Sequence, residues 1–162
     1  MPADPAAPFL CRVLPEWIDY NGHMNVAYYV LAFDKATDRL LDRLGVGGAY
    51  RSATGHSIYM LEAHVIYERE VKEGDPLSIE TQLIDVDARR LHFFHRMHHA
   101  EQGYLAATNE LLALHVDLSG PRAVPFPAEA AAAIGTMLAE HRRLPRPPQL
   151  GRSIRLSNKR AQ

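Results

Sequence analysis

The sequence has very little cysteine, lacks long apolar runs and carries almost no net charge. It has one cysteine, Cys11, no apolar run near the roughly 18 residues of a membrane span, and a formal net charge of -1. A single cysteine excludes an internal disulfide and is typical of a reducing compartment. The near-neutral charge gives no electrostatic reason to expect nucleic acid or a membrane as partner. The start of the chain lacks the basic and apolar regions of a secretory signal. We therefore predict a cytoplasmic protein without nucleic-acid or membrane partners.

The length and composition are those of one globular domain. The chain has 162 residues, of which 47% are hydrophobic and 23% charged, enough to build one sizeable core. Residues 1–8 are rich in proline and alanine, so we expect them to be disordered. Residues 144–162 contain prolines and basic residues but no acidic ones, which favours an extended tail. A single domain is therefore expected over residues 9–143.

Apolar residues recur with helical spacing from residue 26 onwards. Asn25 is a suitable N-cap, and the glycines at 45, 47 and 48 are expected to end the helix. The stripe expected to face the core consists of Val26, Tyr29, Val30, Phe33, Ala36, Leu40, Leu41 and Leu44. The spacing therefore predicts one long amphipathic helix.

The pattern changes to a period of two after a loop through Gly55. Strands are predicted at residues 59–71, 77–86, 90–99 and 104–117, with a short one at 9–14 and a terminal helix at 127–142. In the first long strand the core face is expected to carry Tyr59, Leu61, Ala63, Val65, Tyr67 and Val71. The opposite face carries Glu62, His64, Met60 and Ile66. A long helix followed by consecutive strands indicates an α+β fold in which an antiparallel sheet wraps around the helix. Apolar residues left on the outer face (Phe93 or Phe94 among them) predict that oligomerisation covers it.

Residues 17–29, which read W-I-D-Y-N-G-H-M-N-V-A-Y-Y, concentrate polar groups at the entrance of that helix. The first N–H groups of a helix are unpaired and carry positive potential, so they can stabilise a developing oxyanion. A carboxylate beside them, Asp19, can act as general base or as nucleophile, and Gly22 suits the connecting turn. This arrangement suits acyl transfer to water. The alternative is that Asp19, Asn21 and Asn25 are only caps and that His23 is an ordinary surface residue.

The run Asp19-x-x-Gly22-His23-x-Asn25-x-x-x-Tyr29 resembles the hot-dog-fold acyl-CoA thioesterases of the 4-hydroxybenzoyl-CoA thioesterase type. Residues 15–24, P-E-W-I-D-Y-N-G-H-M, look more narrowly like the betainyl-CoA thioesterases of carnitine breakdown. Similar stretches are Ala36-Thr37-Asp38, Glu62-x-His64-x-x-Tyr67 and Leu144-Pro145-Arg146-Pro147. The likeness spans residues 10–155.

This resemblance implies a hot-dog fold, a homodimer or dimer of dimers with active sites at the subunit interface, and no metal or organic cofactor. It makes Asp19 the catalytic carboxylate and the backbone N–H of Val26 the oxyanion donor. Val26 stands where many relatives have a second asparagine. His23 and Asn25 are expected to order the loop or to contact substrate together with Gly22. The implied reaction is hydrolysis of a small or medium acyl-CoA, with betainyl-CoA favoured, to the free acid and CoA.

Two other functions remain open on the sequence. Hot-dog hydratases or dehydratases also place an acidic residue and a histidine at a helix entrance, but they transfer protons at carbon. A non-catalytic acyl-CoA or acyl-carrier binding protein would bind the same ligands without turnover. Asp19 argues against this second alternative because it stands where the chemistry requires a carboxylate.

Further candidates surround the motif. Glu62, with His64 on the same strand face, is either a second active-site carboxylate that orients water or binds a cationic acyl group, or part of a solvated surface. Trp17, Tyr20 and Tyr28 either line a pocket for a trimethylammonium group or pack in the core or an interface. Packing is favoured for Tyr29, which belongs to the apolar stripe.

Two basic clusters have simpler interpretations. Four histidines in the third long strand (His92, His95, His98 and His99) divide between its two faces and lack a carboxylate or cysteine at ligand spacing, so no metal site is expected. The basic residues near the end of the chain either contact CoA phosphates or, as we favour, belong to a solvated tail. They are Arg142, Arg143, Arg146, Arg152, Arg155, Lys159 and Arg160.

Overall fold

The computed structural model describes residues 7–156, so the predictions for residues 1–6 and 157–162, including Lys159 and Arg160, lie outside the described residues. The first elements are β1 (Phe9–Arg12), a single 3-10 turn (Pro15–Trp17), α1 (Val26–Arg43), α2 (Gly48–Thr54) and β2 (His56–Tyr67). They are followed by β3 (Pro76–Val86), β4 (Arg90–His99), β5 (Leu105–Asp117), β6 (Arg122–Ala123) and α3 (Ala128–His141). No helix in this part of the chain is long and apolar enough to cross a membrane.

The strands form one antiparallel sheet in the order β1-β3-β4-β5-β2, with β6 paired to the end of β5. Within residues 7–156, β1 and β2 are the edge strands. The inner face of the sheet packs against α1, so the predicted α+β fold with a sheet around a long helix is confirmed.

The core has two parts along α1. The first joins the last turns of α1 to α3 and to the neighbouring ends of β3, β4 and β5, through residues such as Leu40, Phe93 and Ile134. The second joins the first half of α1 to β1 and to the loop that precedes the helix, through residues such as Phe33 and Trp17. Burying these apolar side chains stabilises the fold by roughly 1.5–3 kcal/mol for each large one. The loop that carries Asp19 is therefore anchored to the second part of the core.

Helix α1 starts where the sequence predicts, at Val26, because the side chain of Asn25 accepts a hydrogen bond from Ala27 N–H at 2.9 Å. Most of the residues expected to face the core are buried, but the prediction is wrong at two positions. Val26 and Val30 are exposed. Val26 is the first residue of the helix, and its side chain faces solvent. Val30 is rotated by about 100° from Tyr29 and reaches the edge of the buried face.

Strand β2 contains a bulge that the period-two pattern does not show. Met60 pairs with Ala113 and Glu62 pairs with Leu112, so Leu61 is the extra residue. A bulge reverses the alternation of faces along the strand. Ile58 therefore packs against the core in place of Tyr59, whereas Val65, beyond the bulge, lies on the face that was predicted. The predicted inward positions of Tyr59 and Leu61 are wrong, since both side chains are exposed.

Two short elements were predicted as loop. Helix α2 starts at Gly48 without a side-chain cap and buries none of its residues, so it has no apolar pattern to detect. It is held instead by the hydroxyl of Tyr50, which lies 2.9 Å from His115 Nε2 and 3.3 Å from His56 Nδ1. Strand β6 is two residues long and is formed only by its pairing with β5.

The C-terminal residues cross the outer face of the sheet. Gln82 Nε2 donates to the carbonyl oxygens of His141 and Pro145 at 3.3 Å, at the β3 side. Gly151 N–H donates to Glu110 Oε2 at 2.7 Å, on β5. Between these two anchors Pro147 is buried. Most residues from 144 to 151 are exposed, as expected of a solvated tail, but the two anchors hold this segment against the sheet.

This crossing explains the buried aromatic ring on the outer face. Phe94 pairs with Gln82 on one side and Glu110 on the other, so it lies beneath the chain that connects the two anchors. Phe94 is fully buried, and Phe93 belongs to the inner core. The expectation that only oligomerisation would cover this face is wrong at Phe94, because the chain covers it with its own tail.

Candidate active site

A tight hairpin places Asp19 next to the start of α1. Ile18 and Met24 form an antiparallel bridge, and Asp19 N–H donates to the His23 carbonyl at 3.0 Å. Gly22 N–H donates back to the Asp19 carbonyl at 3.0 Å, and Gly22 has a φ of 79°. A turn followed by a residue in the left-handed region is a frequent hairpin loop, and glycine is the residue that adopts it without strain. The hairpin therefore requires Gly22 where the motif has it.

The carboxylate of Asp19 has one anchored and one open oxygen. Its Oδ1 accepts a hydrogen bond from Asn21 N–H at 2.8 Å, which fixes the side chain over the turn. Within residues 7–156 its Oδ2 has no hydrogen-bond partner, and the side chain is half-buried. Asp19 thus caps the hairpin turn rather than the helix. It has one oxygen left for chemistry, so the capping and catalytic interpretations are compatible.

The hairpin is held rigidly against the core. Asn25 N–H donates to the Trp17 carbonyl at 2.8 Å, and Met24 N–H donates to the Val71 carbonyl at 2.9 Å. The side chains of Trp17 and Met24 are both buried. These contacts join the loop to α1 and to the segment after β2, so the position of Asp19 relative to the helix is fixed by the fold.

The first turn of α1 leaves one N–H group open. Ala27 N–H donates to the side chain of Asn25, and Tyr28 N–H donates to the Asn25 carbonyl at 3.0 Å. Val26 N–H has no acceptor within residues 7–156, and the Val26 side chain is exposed. This donor lies at the positive end of the helix dipole, so it can bind the oxygen of a ligand carbonyl. The hairpin that carries Asp19 leads directly into this turn.

Asn25 and His23 contribute mainly to the shape of this loop. Asn25 caps the helix with its side chain and bridges to Trp17 with its backbone. His23 closes the hairpin with its carbonyl group, and its half-buried imidazole makes no hydrogen bond within residues 7–156. For both residues, these contacts support the predicted role of ordering the loop.

The aromatic residues of the motif differ in accessibility. Trp17 is buried, stacks on Tyr28 with ring centroids 5.5 Å apart, and has the Lys35 ammonium 5.8 Å from its ring. It packs in the core, and its role as a substrate-binding residue stays a prediction. Tyr29 is buried as expected, whereas Tyr20 is 98% exposed in the hairpin turn. Only Tyr20 and part of Tyr28 present surface to a ligand.

Glu62 and His64 lie on the outer face of the sheet, as the alternation predicts. They border a cavity of about 370 Å³ together with His92, Glu110 and the tail residue Arg152. His92 Nε2 lies 2.8 Å from Glu110 Oε1, so these two side chains bind each other in the wall of the cavity. Asp19 does not border this cavity. Within a single chain, Glu62 and His64 therefore do not lie in the same site as the hairpin that carries Asp19.

A second cavity lies beside the other half of α1. It has a volume of about 430 Å³, an apolar floor that includes Phe9, Leu40 and Ile79, and a rim that includes Arg39 and Arg96. No sequence pattern indicates this cavity, because its lining residues come from β1, α1, β3 and β4. It is also separate from Asp19, so it is not the site that the motif forms.

The four histidines of β4 divide between the two faces as predicted. His95 and His99 are buried on the inner side, and His92 lies on the outer face with Glu110. His95 Nε2 lies 2.8 Å from Thr37 Oγ1, and its Nδ1 lies 2.9 Å from Thr81 Oγ1. Burial lowers the pKa of His95 to about 3, so the ring is neutral. No group of three or more metal-ligating side chains occurs in the described part of the chain.

Sequence reasoning did not assign Tyr67 a role in the site. Its ring contacts Tyr29 edge to face, with centroids 5.2 Å apart, and its hydroxyl donates to the Val26 carbonyl at 3.4 Å. Tyr67 is therefore in direct contact with the first turn of α1. The only signal was its place in the stretch Glu62-x-His64-x-x-Tyr67.

Comparison with known proteins agrees with this geometry. The model of the Thioesterase-like superfamily matches residues 13–134. The betainyl-CoA thioesterase of Pseudomonas aeruginosa is 44% identical over 144 residues, which are 89% of this chain and 91% of that protein. The L-carnitine dehydrogenase/betainyl-CoA thioesterase of Rhizobium meliloti is 40% identical over 88% of this chain but only 29% of its own length.

Solved structures have the same fold. A Staphylococcus aureus protein in complex with CoA superposes with a TM-score of 0.87 at 28% identity, over 92% of this chain and 94% of its own. A structure from Pseudomonas putida KT2440 assigned as a thioesterase gives a TM-score of 0.81 at 34% identity, over 95% of this chain and 99% of its own.

The chain belongs to the Thioesterase-like superfamily. It is a hot-dog acyl-CoA thioesterase, and its class of reaction is thioester hydrolysis. The resemblance of residues 19–29 to hot-dog acyl-CoA thioesterases is therefore confirmed. The hydratase and the non-catalytic binding protein gain no support from the Pseudomonas and Rhizobium relatives, whose names specify a thioesterase.

Proposed function

We propose that the chain hydrolyses betainyl-CoA to betaine and CoA, with Asp19 as the catalytic carboxylate and the Val26 N–H as the oxyanion donor. The observation that carries this proposal is that the hairpin and the helix start next to it each have one open polar group. Asp19 has an oxygen without a partner, and the adjoining helix start has an N–H without a partner.

The thioester carbonyl would accept a hydrogen bond from Val26 N–H, at the positive end of α1. As a nucleophile adds to the carbonyl carbon, the oxygen becomes negative and this bond becomes stronger. The free oxygen of Asp19 serves either route to that step. It removes a proton from the attacking water, or it attacks the carbon itself and the resulting anhydride is hydrolysed. In both routes the carbon–sulfur bond breaks and the sulfur of CoA takes up a proton.

The choice of acyl group is supported by the relatives. The Pseudomonas aeruginosa protein that is 44% identical over nearly its whole length is named for betainyl-CoA, and so is the Rhizobium meliloti protein. The second name also includes L-carnitine dehydrogenase, which supports the predicted place in carnitine breakdown. A cytoplasmic location, predicted from the single cysteine, belongs to the same proposal.

The active unit in this proposal is a homodimer or a dimer of dimers with sites at the subunit interface. The edge of β2 that β5 does not occupy is available for pairing within residues 7–156. Two large apolar side chains at the bulge of this strand, Met60 and Leu61, are exposed. An exposed apolar edge strand favours pairing with another strand. The antiparallel union of two β2 strands would bring the first turn of each α1 close to the partner.

Replacing the carboxylate tests the assignment directly. Asp19→Asn keeps an oxygen that can accept the Asn21 N–H bond, so the hairpin should persist while the base or nucleophile is lost. We expect kcat for betainyl-CoA, followed by release of free thiol, to fall by roughly 10²–10⁴. Asp34→Asn, an exposed carboxylate on the same helix, is the matched control and should keep wild-type turnover. Equal activity of the two variants would disprove the role of Asp19.

A further inference from the structure

We propose that Tyr67 determines specificity in this reaction by presenting its ring to the quaternary ammonium group of the acyl chain. The inference rests on the proposed function, in which the thioester carbonyl binds at Val26 N–H. In a betainyl group one methylene separates the carbonyl carbon from the nitrogen. The cation must therefore lie close to the first turn of α1, where Tyr67 is in contact with Val26.

Two contacts fix the ring of Tyr67 beside that turn. Tyr67 ends β2 and pairs with the buried Ala107, so it lies on the face of the sheet that α1 covers. Its hydroxyl donates to the Val26 carbonyl, and its ring meets the buried Tyr29 at an interplanar angle of 82°. An aromatic ring held in this way loses little conformational entropy when a ligand binds.

The ring also has a face available for a cation. Tyr67 is 47% exposed, and an edge-to-face contact with Tyr29 covers at most one of its two faces. Two other rings of this region already carry protein cations. The Lys35 ammonium lies 5.8 Å from the Trp17 ring, and the Arg69 guanidinium lies 3.9 Å from the Tyr104 ring. No lysine or arginine within residues 7–156 lies over Tyr67.

The charge around Tyr67 suits a positive ligand. The residues that follow it include two exposed carboxylates, Glu68 and Glu70, while the intervening Arg69 is engaged by Tyr104. Burial raises the pKa of the Tyr67 phenol, so the ring stays neutral at physiological pH. Quaternary ammonium groups cannot donate hydrogen bonds, and aromatic faces are the groups that proteins use to bind them.

A neutral isostere of the substrate tests the inference. In 3,3-dimethylbutyryl-CoA a carbon replaces the nitrogen of betainyl-CoA, so the two thioesters have the same shape and differ by one charge. The measured quantity is the ratio of their kcat/KM values, which does not depend on the folded fraction. We expect the wild-type enzyme and Tyr67→Phe to prefer betainyl-CoA. Tyr67→Leu should lower the ratio by about 2- to 30-fold, because it removes the π face.

Tyr59→Leu is the matched control, because Tyr59 lies on the same strand at 44% exposure and makes no hydrogen bond or ring contact with α1 within residues 7–156. It should keep the wild-type ratio. Hydrolysis of both thioesters with an unchanged ratio in Tyr67→Leu would overturn the inference and leave the proposed hydrolysis intact. So would a wild-type ratio close to one. If the wild-type enzyme hydrolyses neither thioester, the proposed function fails and the inference fails with it.

Discussion

His95 shows how a polar residue can belong to the core. Thr37 Oγ1 donates to the Phe33 carbonyl, so it can only accept a hydrogen bond from His95 Nε2–H. The other ring nitrogen then carries no proton and accepts from the Thr81 hydroxyl. Protonating this second nitrogen would require the Thr81 hydroxyl to turn from donor to acceptor. Both hydrogen bonds are therefore satisfied in the neutral state that burial favours.

This arrangement predicts how stability depends on pH. The pKa of His95 is about 3 in the folded protein and 6.5 ordinarily, so between these values only the unfolded chain binds the extra proton. The contribution to stability is complete above pH 6.5 and is lost as pH falls towards 3. We expect a loss of about 1.4 kcal/mol per pH unit within that window.

Urea unfolding of the wild type and of His95→Gln between pH 7 and about pH 5 measures this effect. The variant should be less stable at pH 7, because the buried hydrogen bonds and the contact with Phe33 are lost. It should also lose less stability on acidification than the wild type. Parallel pH profiles for the two proteins would show that His95 does not titrate in this way.

The hairpin is the element on which the site depends, and Gly22 is its most constrained residue. A Cβ at Gly22 would meet nothing within 4 Å, so the effect of Gly22→Ala comes only from the backbone conformation at φ 79°. Holding alanine there costs roughly 1–2 kcal/mol. We expect a loss of that size in the free energy of unfolding, with lower turnover because Asp19 is displaced. Unfolding and thiol-release assays on the same preparation measure both.

Gly120→Ala provides the comparison for this experiment. A Cβ at Gly120 also meets nothing within 4 Å, but Gly120 does not have a positive φ. Its free energy of unfolding should stay within about 0.5 kcal/mol of the wild-type value. Its turnover should equal that of the wild type. If the two alanine variants behave alike, the left-handed turn is not what holds Asp19 in place.

At the scale of elements, the sequence predicts well where local rules decide. The start of α1 follows from Asn25, and β4 follows from its alternation. The same reasoning fails in β2, where the bulge at Leu61 reverses the faces and leaves no compositional trace. It also leaves the burial of Trp17 open, because that burial depends on stacking against Tyr28 and on the docking of the hairpin. These contacts are tertiary, so spacing alone does not specify them.

At the scale of the whole molecule, the chain closes one face of its sheet and leaves one edge open. The tail covers Phe94 and is anchored at Gln82 and Glu110, which no pattern in residues 144–156 indicated. The edge of β2 has no such cover within the described residues. The motif thus locates the loop that we propose to be catalytic, but Glu62 and His64 lie on the opposite face of the sheet and would not join it within one chain.

The two edge strands allow the proposed dimer to be tested. Leu61 on β2 is 50% exposed and, as the bulge residue, has no partner on β5, so Leu61→Lys places a charge on the edge without breaking the sheet. We expect this variant to dissociate into monomers by light scattering, since a lysine on an edge strand opposes pairing. Its turnover per subunit should increase with protein concentration, because the proposed sites form between subunits.

Leu10→Lys is the control for the dimer, because Leu10 is exposed on β1, the edge strand at the other end of the sheet. This variant should keep the wild-type mass and turnover. Dissociation by Leu10→Lys but not by Leu61→Lys would move the interface to β1. That edge is distant from β2 and Tyr67, so the partner would then contribute nothing to the site beside Val26. Comparing the two variants therefore tests both the oligomeric state and the proposal that the interface lies at β2.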